Sequence, residues 1–413
     1  MKIAYFTDTY APEVNGVTNT LTKLSGYLED KGIRHTFFVP AYNDGNPDMP
    51  VRRFKTDTRK SVAVLTPLTR PHEEMSLKKV HRFPGIKVSI SPNSCLAFPK
   101  TKQIFTLCDR FAPDLVHVTT EFGIGHKGMK YAVSRKLPLI MSSHTDYCKY
   151  LSYYGLSPLE PFAEMYLKRF FKPAHRILAP SKYTMEHLHQ KGYDNLGVWS
   201  RGIDAVRFST GHRNNQIRND LGIGDRFAFL YVGRISPEKG LHLLLRAIGS
   251  INKAYPGKAV FIFTGDGPYA DTIRQSGYDN VIMTGFKHGS ELSAIYASCD
   301  CFAFPSGTET FGNTCLEAMA SGLAIAGING GGVTDYLVHG ENALLCSDGD
   351  VDGFVSNLTE LMNNPLLRRE LSAKGRQTAL AKDWNRVFDN LLSEYETVIR
   401  ENVPAERFFA RVS

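Results

Sequence analysis

Short runs of apolar residues alternate with longer amphipathic stretches from one end of the chain to the other. The stretch 17–32 has apolar positions at helical spacing and ends at a glycine. Apolar strands separated by helices are typical of a parallel sheet that is covered on both faces, so the pattern predicts an α/β, doubly wound fold. In the first half of the chain the apolar runs are 2–7, 35–40, 114–120, 137–143 and 175–181.

The pattern begins again after residue 203, which predicts two Rossmann-like domains. We assign 1–203 to an N-terminal domain and 204–385 to a second domain. The polar stretch 208–226 lacks an apolar stripe and is interpreted as the linker. A further segment, 386–413, is assigned to a terminal helix and tail. The apolar runs of the second half are 227–233, 258–267, 280–286, 301–306 and 323–330.

Composition and charge narrow the class of protein. Of the 413 residues, 42% are hydrophobic and 22% are charged, which is normal for a soluble globular protein. The net charge of +8 favours an anionic partner, such as a nucleotide or an anionic lipid surface, and it is the sole feature in favour of nucleic-acid binding, which we do not expect. No apolar run is long enough to span a membrane, so membrane contact is expected to be peripheral.

The seven cysteines indicate a reducing compartment. Cys299 and Cys301 are the one close pair, and a single intervening residue is too few for a zinc knuckle. Cysteines within apolar runs are usually small buried hydrophobes. We therefore expect a cytoplasmic protein without a structural metal.

In open parallel sheets, ligands bind beyond the carboxyl ends of the strands, and two facing sheets would place a cleft there. Gly16 follows the first strand and directly precedes a helix, whose N-terminus suits a phosphate. The dinucleotide fingerprint GxGxxG is absent at this point, which disfavours an NAD enzyme. His144 follows the run 137–143 and is a candidate polar contact or proton carrier.

Two cations follow the first strand of the second half. The segment GRISPEKG contains Gly233, Arg234 and Lys239 at a strand-to-helix junction. Arginine can bind two phosphate oxygens with its planar fork and lysine acts as a point charge, so the pair is a candidate diphosphate site. The next apolar run ends with a tight turn at Gly265 and Asp266, and both residues are assigned with Gly233 to donor binding. Asp266 is interpreted as a turn former rather than a catalyst.

The segment TETFGNTCLE places two glutamates on either side of a helix start. Glu309 lies in the loop and Glu317 lies inside the helix. The backbone N–H groups at the helix start form an anion site between the two carboxylates. A nucleoside diphosphate sugar has the matching order of sugar hydroxyls, diphosphate and ribose hydroxyls. The residues of this predicted anion site are Phe311, Gly312, Asn313 and Thr314.

With these residues in view, the chain resembles the retaining glycosyltransferases of family 4, which have the two-domain GT-B fold. The resemblance extends over nearly the whole chain, and it implies that 1–203 is the acceptor-side domain and 204–385 the nucleotide-sugar-binding domain. Its most specific elements are the E-x7-E spacing of Glu309 and Glu317 and the R-x4-K spacing of Arg234 and Lys239. The loop PEVNGV around Gly16, the segment RGID and the segment GGV agree with the family in order and position.

The resemblance implies a role for each matching residue. Glu309 would contact the donor sugar and Glu317 the ribose, while Arg234 and Lys239 would neutralise the leaving diphosphate. The resemblance further implies that Gly16 offers its backbone to the phosphates, that His144 touches the sugar, and that the terminal helix crosses back onto the N-terminal domain. The loop after GGV departs from the family, because it reads Thr334-Asp335 where members often have Pro-Glu.

The implied reaction is a front-face displacement with retention, for which two cations and a helix N-terminus replace a metal. No cofactor is expected beyond the co-substrate, a GDP- or UDP-sugar. The loop around Gly16 is most similar to members that use GDP-mannose or UDP-hexoses on lipid, glycolipid or glycan acceptors.

Two basic and aromatic stretches indicate a membrane surface. One is 77–84, and the other is 164–176 with Lys168, Arg169, Lys172 and Arg176. Basic amphipathic helices of this kind can lie at an anionic membrane interface. We consider two alternative functions: a nucleotide-sugar epimerase on the same fold and a non-catalytic nucleotide-sugar sensor.

Overall fold

The computed structural model describes residues 1–42, 78–87 and 95–402. Contacts divide the chain into two units. The first unit consists of residues 1–144, 165–178 and those from 390 onward, and the second of 145–164 and 179–389. The predicted domain limits at 203 and 385 stay a prediction, and the predicted tail from 403 lies outside the described residues.

The strands follow the predicted apolar runs closely. Every run named from the sequence coincides with a strand, and most strands are one to three residues shorter than their run at one or both ends, whereas the second strand begins one residue before its run. In order the strands are β1 (Lys2–Phe6), β2 (Arg34–Pro40), β3 (Lys78–Phe83), β4 (Gly85–Lys87), β5 (Cys95–Ala97), β6 (Leu115–Val118), β7 (Leu139–Ser142), β8 (Arg176–Ala179), β9 (Leu196–Val198), β10 (Phe227–Val232), β11 (Ala259–Thr264), β12 (Val281–Gly285), β13 (Cys301–Phe304), β14 (Ala324–Ile328) and β15 (Leu344–Cys346).

Helices connect the strands, and three of them follow one another at the C-terminal end. They are α1 (Gly16–Asp30), α2 (Thr101–Phe111), α3 (Gly123–Arg135), α4 (Tyr147–Tyr153), α5 (Glu160–Phe171), α6 (Lys182–Gln190), α7 (Asn215–Asp220), α8 (Leu241–Ala254), α9 (Ala270–Arg274), α10 (Gly289–Ser298), α11 (Asn313–Ala320), α12 (Val351–Asn363), α13 (Pro365–Leu380) and α14 (Trp384–Asn402).

The described strands form two parallel sheets, as the sequence predicted, together with the antiparallel pair β4 and β5. The first sheet has the order β3-β2-β1-β6-β7-β8-β9, and the second has the order β12-β11-β10-β13-β14-β15. In each sheet the chain starts in the middle and moves to one edge before it crosses to the other. This reversal is the doubly wound arrangement that places ligands at the carboxyl ends of the strands.

The second sheet is buried on both faces, which explains why its strands are apolar throughout. Along β10, Ala228 and Leu230 belong to one hydrophobic core, whereas Phe229 and Tyr231 belong to the other. Residues of α10 and α11 complete the first core, and residues of α8 and α12 complete the second. The strand ends are thereby fixed between two packed layers of helices.

The first unit contains a buried polar network that involves the terminal helix. The Tyr395 hydroxyl of α14 lies 2.6 Å from His117 Nδ1 and 3.2 Å from the Tyr5 hydroxyl. The other ring nitrogen of His117 lies 2.7 Å from Ser142 Oγ. Burial lowers the pKa of His117 to about 3, so the ring is neutral at ordinary pH. The network fixes Tyr395 to the middle of the first sheet.

Two expectations from the sequence were wrong. The stretch 208–226 is no linker between the units, because it lies inside the second unit, contains α7, and carries Arg213 and Arg218, which both bind Asp300 just before β13. Phe208 and Ile223 are buried in the hydrophobic core of this unit, although the sequence of the stretch shows no regular apolar stripe. The stretch 77–84 is no amphipathic helix either: its residues from Lys78 form β3, paired in parallel with β2.

Candidate active site

The cations of the R-x4-K motif lie on a sharp turn after β10. Gly233 and Gly240 bound the turn with φ of +156° and +67°, in the region that favours glycine. A Cβ atom on Gly240 would clash with the carbonyl oxygen of Pro305 at the end of β13. Between them, Pro237–Lys239 form one turn of 3₁₀ helix. The turn is thus held tightly against the neighbouring strand end.

Arg234 is held from within its own turn. One terminal nitrogen of its guanidinium lies 2.6 Å from Glu238 Oε1, and the Ser236 hydroxyl donates to the same oxygen at 2.6 Å. The Glu238 side chain is 1% exposed and the Arg234 side chain 41%. The guanidinium is therefore held at one terminal nitrogen, while part of the side chain is exposed to solvent.

Lys239 and Glu309 form a close ion pair. The ammonium nitrogen donates to Glu309 Oε1 at 2.6 Å, and the two side chains are 14% and 23% exposed. The sequence predicted a donor-site role for both residues, and the structure brings their side chains together. The pair joins the turn after β10 to the loop after β13.

The loop that carries Glu309 is fixed by hydrogen bonds on three sides. Thr308 donates to the carbonyl oxygen of Glu238 at 3.0 Å. The backbone N–H of Gly332 donates to the Glu309 carbonyl at 2.6 Å, and the Ser181 hydroxyl donates to the Thr310 carbonyl at 2.7 Å. Loop positions held in this way are suited to a binding role, because little ordering remains to be done on binding.

The helix that follows this loop begins at the predicted anion site. Gly312 precedes α11 with φ of +86°, and a Cβ atom there would clash with Val333. Phe311 is buried, and the Tyr336 hydroxyl donates to the Gly312 carbonyl at 2.6 Å. Asn313 and Thr314, the first two residues of α11, are partly exposed. The first turn of a helix presents N–H groups that have no partner within the helix, so this end suits an anion.

Glu317 lies in the second turn of α11 and is partly exposed. Its Oε2 accepts a hydrogen bond of 2.9 Å from the Tyr296 hydroxyl of α10. Burial raises the pKa of the Glu317 carboxyl to about 7, although the Tyr296 hydrogen bond and the charge of Arg207 both lower it. The carboxyl thus changes charge close to neutral pH. Tyr296 was missed by the sequence analysis, because a tyrosine in an apolar run gives no signal of this contact.

The turn after β11 has a structural role. A Cβ atom on Gly265 would clash with the carbonyl of Gly233, so the two strand ends approach as closely as glycines allow. Asp266 Oδ1 accepts from the N–H of Gly267 at 2.8 Å, a contact within the turn, and the role of Asp266 in donor binding stays a prediction. Its carbonyl accepts from Ile235 N at 2.9 Å.

Gly16 and His144 belong to the first unit. Gly16 is the first residue of α1, one position later in the helix than the sequence predicted, and Asn15 caps the helix by accepting from Thr18 N at 2.9 Å. His144 follows β7 by two residues and is half-buried. Between β1 and α1, the carboxylate of Glu13 accepts hydrogen bonds of 2.9 Å from Thr9 and Tyr42. The functional roles of Gly16 and His144 stay predictions.

Asp335 lies in the loop after GGV, where the sequence departs from the family pattern. Its carboxylate accepts hydrogen bonds from the N–H groups of Lys182 at 2.6 Å and Tyr183 at 3.1 Å. These are the first two residues of α6, so Asp335 supplies an anionic cap to that helix. Asp335 therefore has a structural role that the sequence alone does not show.

The four basic residues of the stretch 164–176 do not share one element. Lys168 and Arg169 are exposed on α5, and Lys172 is exposed just after it. Arg176 instead begins β8 and lies 3.2 Å from Glu394 Oε2. The basic surface thus consists of the first three residues.

Within residues 1–42, 78–87 and 95–402, no helix is long and apolar enough to cross a membrane. The same described residues contain no group of three or more histidine, cysteine or acidic side chains that could hold a metal ion. All seven cysteines are free.

Two family models match successive halves of the chain. The model described as Glycosyltransferase Family 4 matches residues 14–207, and the model described as Glycosyl transferases group 1 matches residues 213–378. Together they account for most of the sequence, including every residue of the candidate site.

Relatives and solved structures agree with these models. A GDP-mannose-dependent alpha-mannosyltransferase of Mycolicibacterium smegmatis is 28% identical over 97% of this chain and 98% of its own length. An alpha-monoglucosyldiacylglycerol synthase of Acholeplasma laidlawii is 26% identical over 90% of this chain and 91% of its own length. The structure is similar to that of Anabaena HepE in complex with UDP and glucose, with a TM-score of 0.71, 18% identity and coverage of 96% of this chain and 100% of the other. At this identity the last likeness shows the GT-B fold alone.

Proposed function

The chain belongs to the family 4 glycosyltransferases of the GT-B fold, and from this premise we propose that it transfers a mannosyl group from GDP-mannose to a hydroxyl of a lipid or glycolipid, with retention of configuration and without a metal. The observation that carries the proposal is the ion pair of Lys239 and Glu309, which brings the predicted phosphate and sugar contacts together. UDP-glucose and UDP-galactose are the alternative donors.

The diphosphate is the part of the donor that the cations recognise. We assign it to the exposed face of Arg234, to Lys239 and to the N-terminus of α11. As the bond to the sugar breaks, negative charge builds up on the diphosphate, and fixed cations and backbone N–H groups stabilise that charge. The two fixed cations thus stabilise the negative charge of the leaving diphosphate, which a bound divalent metal ion does in other enzymes.

The two glutamates recognise the hydroxyl groups of the donor. Glu309 is assigned to the sugar and Glu317 to the ribose, in agreement with their positions before and inside α11. Gly233 and Gly265 complete the donor side, because glycines at strand ends allow a ligand to approach the backbone. Gly16 and His144 keep the roles that the resemblance to the family implies.

In the proposed mechanism the acceptor hydroxyl attacks the anomeric carbon from the face that the diphosphate leaves. The bond from that carbon to the phosphate oxygen breaks, the bond to the acceptor oxygen forms, and a phosphate oxygen takes the proton. No protein nucleophile is required. Lys239 and Arg234 thus act mainly in the transition state, whereas Glu317 acts mainly in donor binding.

Relatives of about the same length as this chain support the proposed donor and the proposed acceptor. The mannosyltransferase of M. smegmatis is named for its use of GDP-mannose, and the synthase of A. laidlawii for a glucosyldiacylglycerol product. The test is transfer from radiolabelled GDP-mannose, UDP-glucose or UDP-galactose to a lipid extract in the presence of EDTA, followed by assignment of the anomeric configuration by NMR. An α-linked mannolipid is expected. Inversion would contradict the mechanism, conversion of donor without acceptor would favour an epimerase, and binding without turnover would favour a sensor.

A lipid acceptor implies that the reaction takes place at a membrane surface, and we propose that this surface is the cytoplasmic face of the membrane. The support lies in the segment from 153 to 172, where large apolar side chains are exposed next to cations. Phe162 and Met165 on α5 are 65% and 64% exposed, and Lys168 follows them on the same helix. Exposed aromatic and apolar residues beside lysine and arginine are suited to an anionic interface.

Flotation with vesicles tests the membrane contact. Wild-type protein is expected to float with vesicles that contain phosphatidylglycerol. With vesicles of pure phosphatidylcholine it is expected to remain at the bottom of the gradient. The double variant Phe162→Ser, Met165→Ser should lose most of this binding. Leu366→Ser is the control, because Leu366 is 77% exposed on α13 near Arg368, and the other large exposed apolar residue of that helix, Leu380, lies at its far end. Equal binding by both variants would contradict the assignment.

A further inference from the structure

Glu238 lies between the two cations of the R-x4-K motif and is almost entirely buried. Its Oε1 receives the guanidinium of Arg234 and the hydroxyl of Ser236, each at 2.6 Å. Its Oε2 is buried and has no hydrogen-bond partner among the described residues. A buried carboxylate is costly unless a cation compensates it, so its presence here requires a reason.

The backbone of the same residue connects the turn to the second loop of the site. The Glu238 carbonyl accepts the hydroxyl of Thr308, one residue before Glu309. The next residue, Lys239, reaches across to Glu309 with its side chain. Glu238 therefore holds Arg234 through its side chain, and it lies where the turn after β10 meets the loop after β13.

Arg234 needs such an anchor. Free arginine side chains have many rotamers, and a guanidinium that must meet a diphosphate gains from being held in one orientation beforehand. Glu238 contacts one terminal nitrogen of a group that carries five N–H donors. The Arg234 side chain is 41% exposed, so part of the cation is accessible to a ligand.

We propose that Glu238 is a positioning residue: its buried carboxylate fixes the Arg234 guanidinium in the orientation in which it stabilises the leaving diphosphate. The inference rests on the proposed function, since it assumes that Arg234 acts on the diphosphate. It assigns to Glu238 no contact with the donor and no proton transfer.

A double-mutant cycle on steady-state kinetics tests the proposal. Glu238→Gln keeps the size of the side chain and an acceptor for Ser236 but removes the charge that holds Arg234. We expect kcat to fall roughly 10- to 100-fold, with a donor KM changed less than about threefold, because the loss lies in the transition state. In the background of Arg234→Ala, the same Glu238→Gln change should lower kcat by less than about twofold, since nothing is left to position.

Control variants separate a loss of Arg234 positioning from other effects on kcat. Glu238→Asp keeps the charge on a shorter side chain and is expected to retain more kcat than Glu238→Gln. Glu370→Gln breaks the exposed pair of Glu370 and Lys374 on α13 and should leave kcat unchanged. Melting temperatures of all variants separate loss of folded protein from loss of turnover, and kcat is given per folded enzyme.

The possible results differ for this inference and for the proposed function. Equal loss from Glu238→Gln in both backgrounds would overturn the positioning role, because the effect would then not depend on Arg234. A normal kcat for Glu238→Gln would overturn it as well. If Arg234→Ala alone turned over normally, the assignment of the diphosphate site would fail first, and the proposed function with it.

Discussion

The ammonium of Lys239 lies 2.6 Å from the carboxylate of Glu309, although 70 positions separate the two residues in the chain. The contact joins the end of β10 to the end of β13, and these strands are neighbours in the second sheet. Two motifs that are independent in the sequence are therefore one site in the structure. Because each side chain neutralises the other, the pair can be partly buried before any donor binds.

Removal of the Lys239 cation should lower turnover more than binding. For Lys239→Ala we expect a loss in kcat of roughly 10²- to 10³-fold, the range found when one donor of a charge-stabilising site is removed. Steady-state kinetics with saturating acceptor measure it. Lys253→Ala, which changes an exposed lysine in the last turn of α8, is the control and should leave kcat and KM unchanged. Similar kinetics for the two variants would be incompatible with the assigned site.

The raised pKa of Glu317 predicts a pH-dependent stability. The folded-state pKa of about 7 lies above the ordinary 4.5. Between these two pH values the folded protein keeps the proton on Glu317, whereas the unfolded chain has lost it. Stability should fall as pH rises through that window, by on the order of 3 kcal/mol at most. Glu317→Gln stays neutral and should lack this component. Denaturant unfolding of both proteins from pH 4.5 to 8 measures it, and parallel curves would show the pKa to be unshifted.

The cap that Asp335 provides for α6 should have a measurable free energy. Asp335→Ala removes the acceptor for two backbone N–H groups and is expected to lower the free energy of unfolding by about 1–2 kcal/mol. Asp279→Ala, an exposed aspartate beside β12, serves as the control with little effect. Chemical denaturation gives both values. An unchanged stability for Asp335→Ala would mean that the two hydrogen bonds contribute nothing in solution.

The buried network at Tyr395 predicts unequal effects of two similar substitutions. Tyr395→Phe removes a hydroxyl that contacts both His117 and Tyr5, and it should cost about 1–3 kcal/mol because His117 Nδ1 loses its partner. Tyr5→Phe removes one contact and should cost less. Thermal unfolding of the two variants compares them directly. The reverse order would show that the His117 contact is not the one that stabilises the helix.

Much of this site was predictable because its motifs are local. Arg234 and Lys239 are five positions apart after one strand, and Glu309 and Glu317 are eight apart around one helix start. The strands were equally predictable, since burial on both faces makes them apolar throughout.

The missed features depend on packing between distant segments. Glu238 looks like a surface acid next to a lysine, and nothing local shows that it is buried. The contact of Tyr296 with Glu317 and that of Asp335 with α6 join residues 21 and 153 positions apart. The stretch 208–226 was interpreted wrongly for the same reason, because its arginines are satisfied by Asp300, far away in the sequence.

The central claim, a diphosphate site formed by Arg234, Lys239 and the start of α11, is tested most directly by thermal unfolding with nucleotides. Wild-type protein is heated with GDP, UDP or ADP, each with and without magnesium, and Lys239→Ala is treated in the same way. A ligand at 100 times its Kd adds about 2.7 kcal/mol to stability, which is a clear shift. We predict a shift with GDP that does not need magnesium and that Lys239→Ala reduces strongly. A shift of equal size in Lys239→Ala, or none with any nucleotide, would contradict the site.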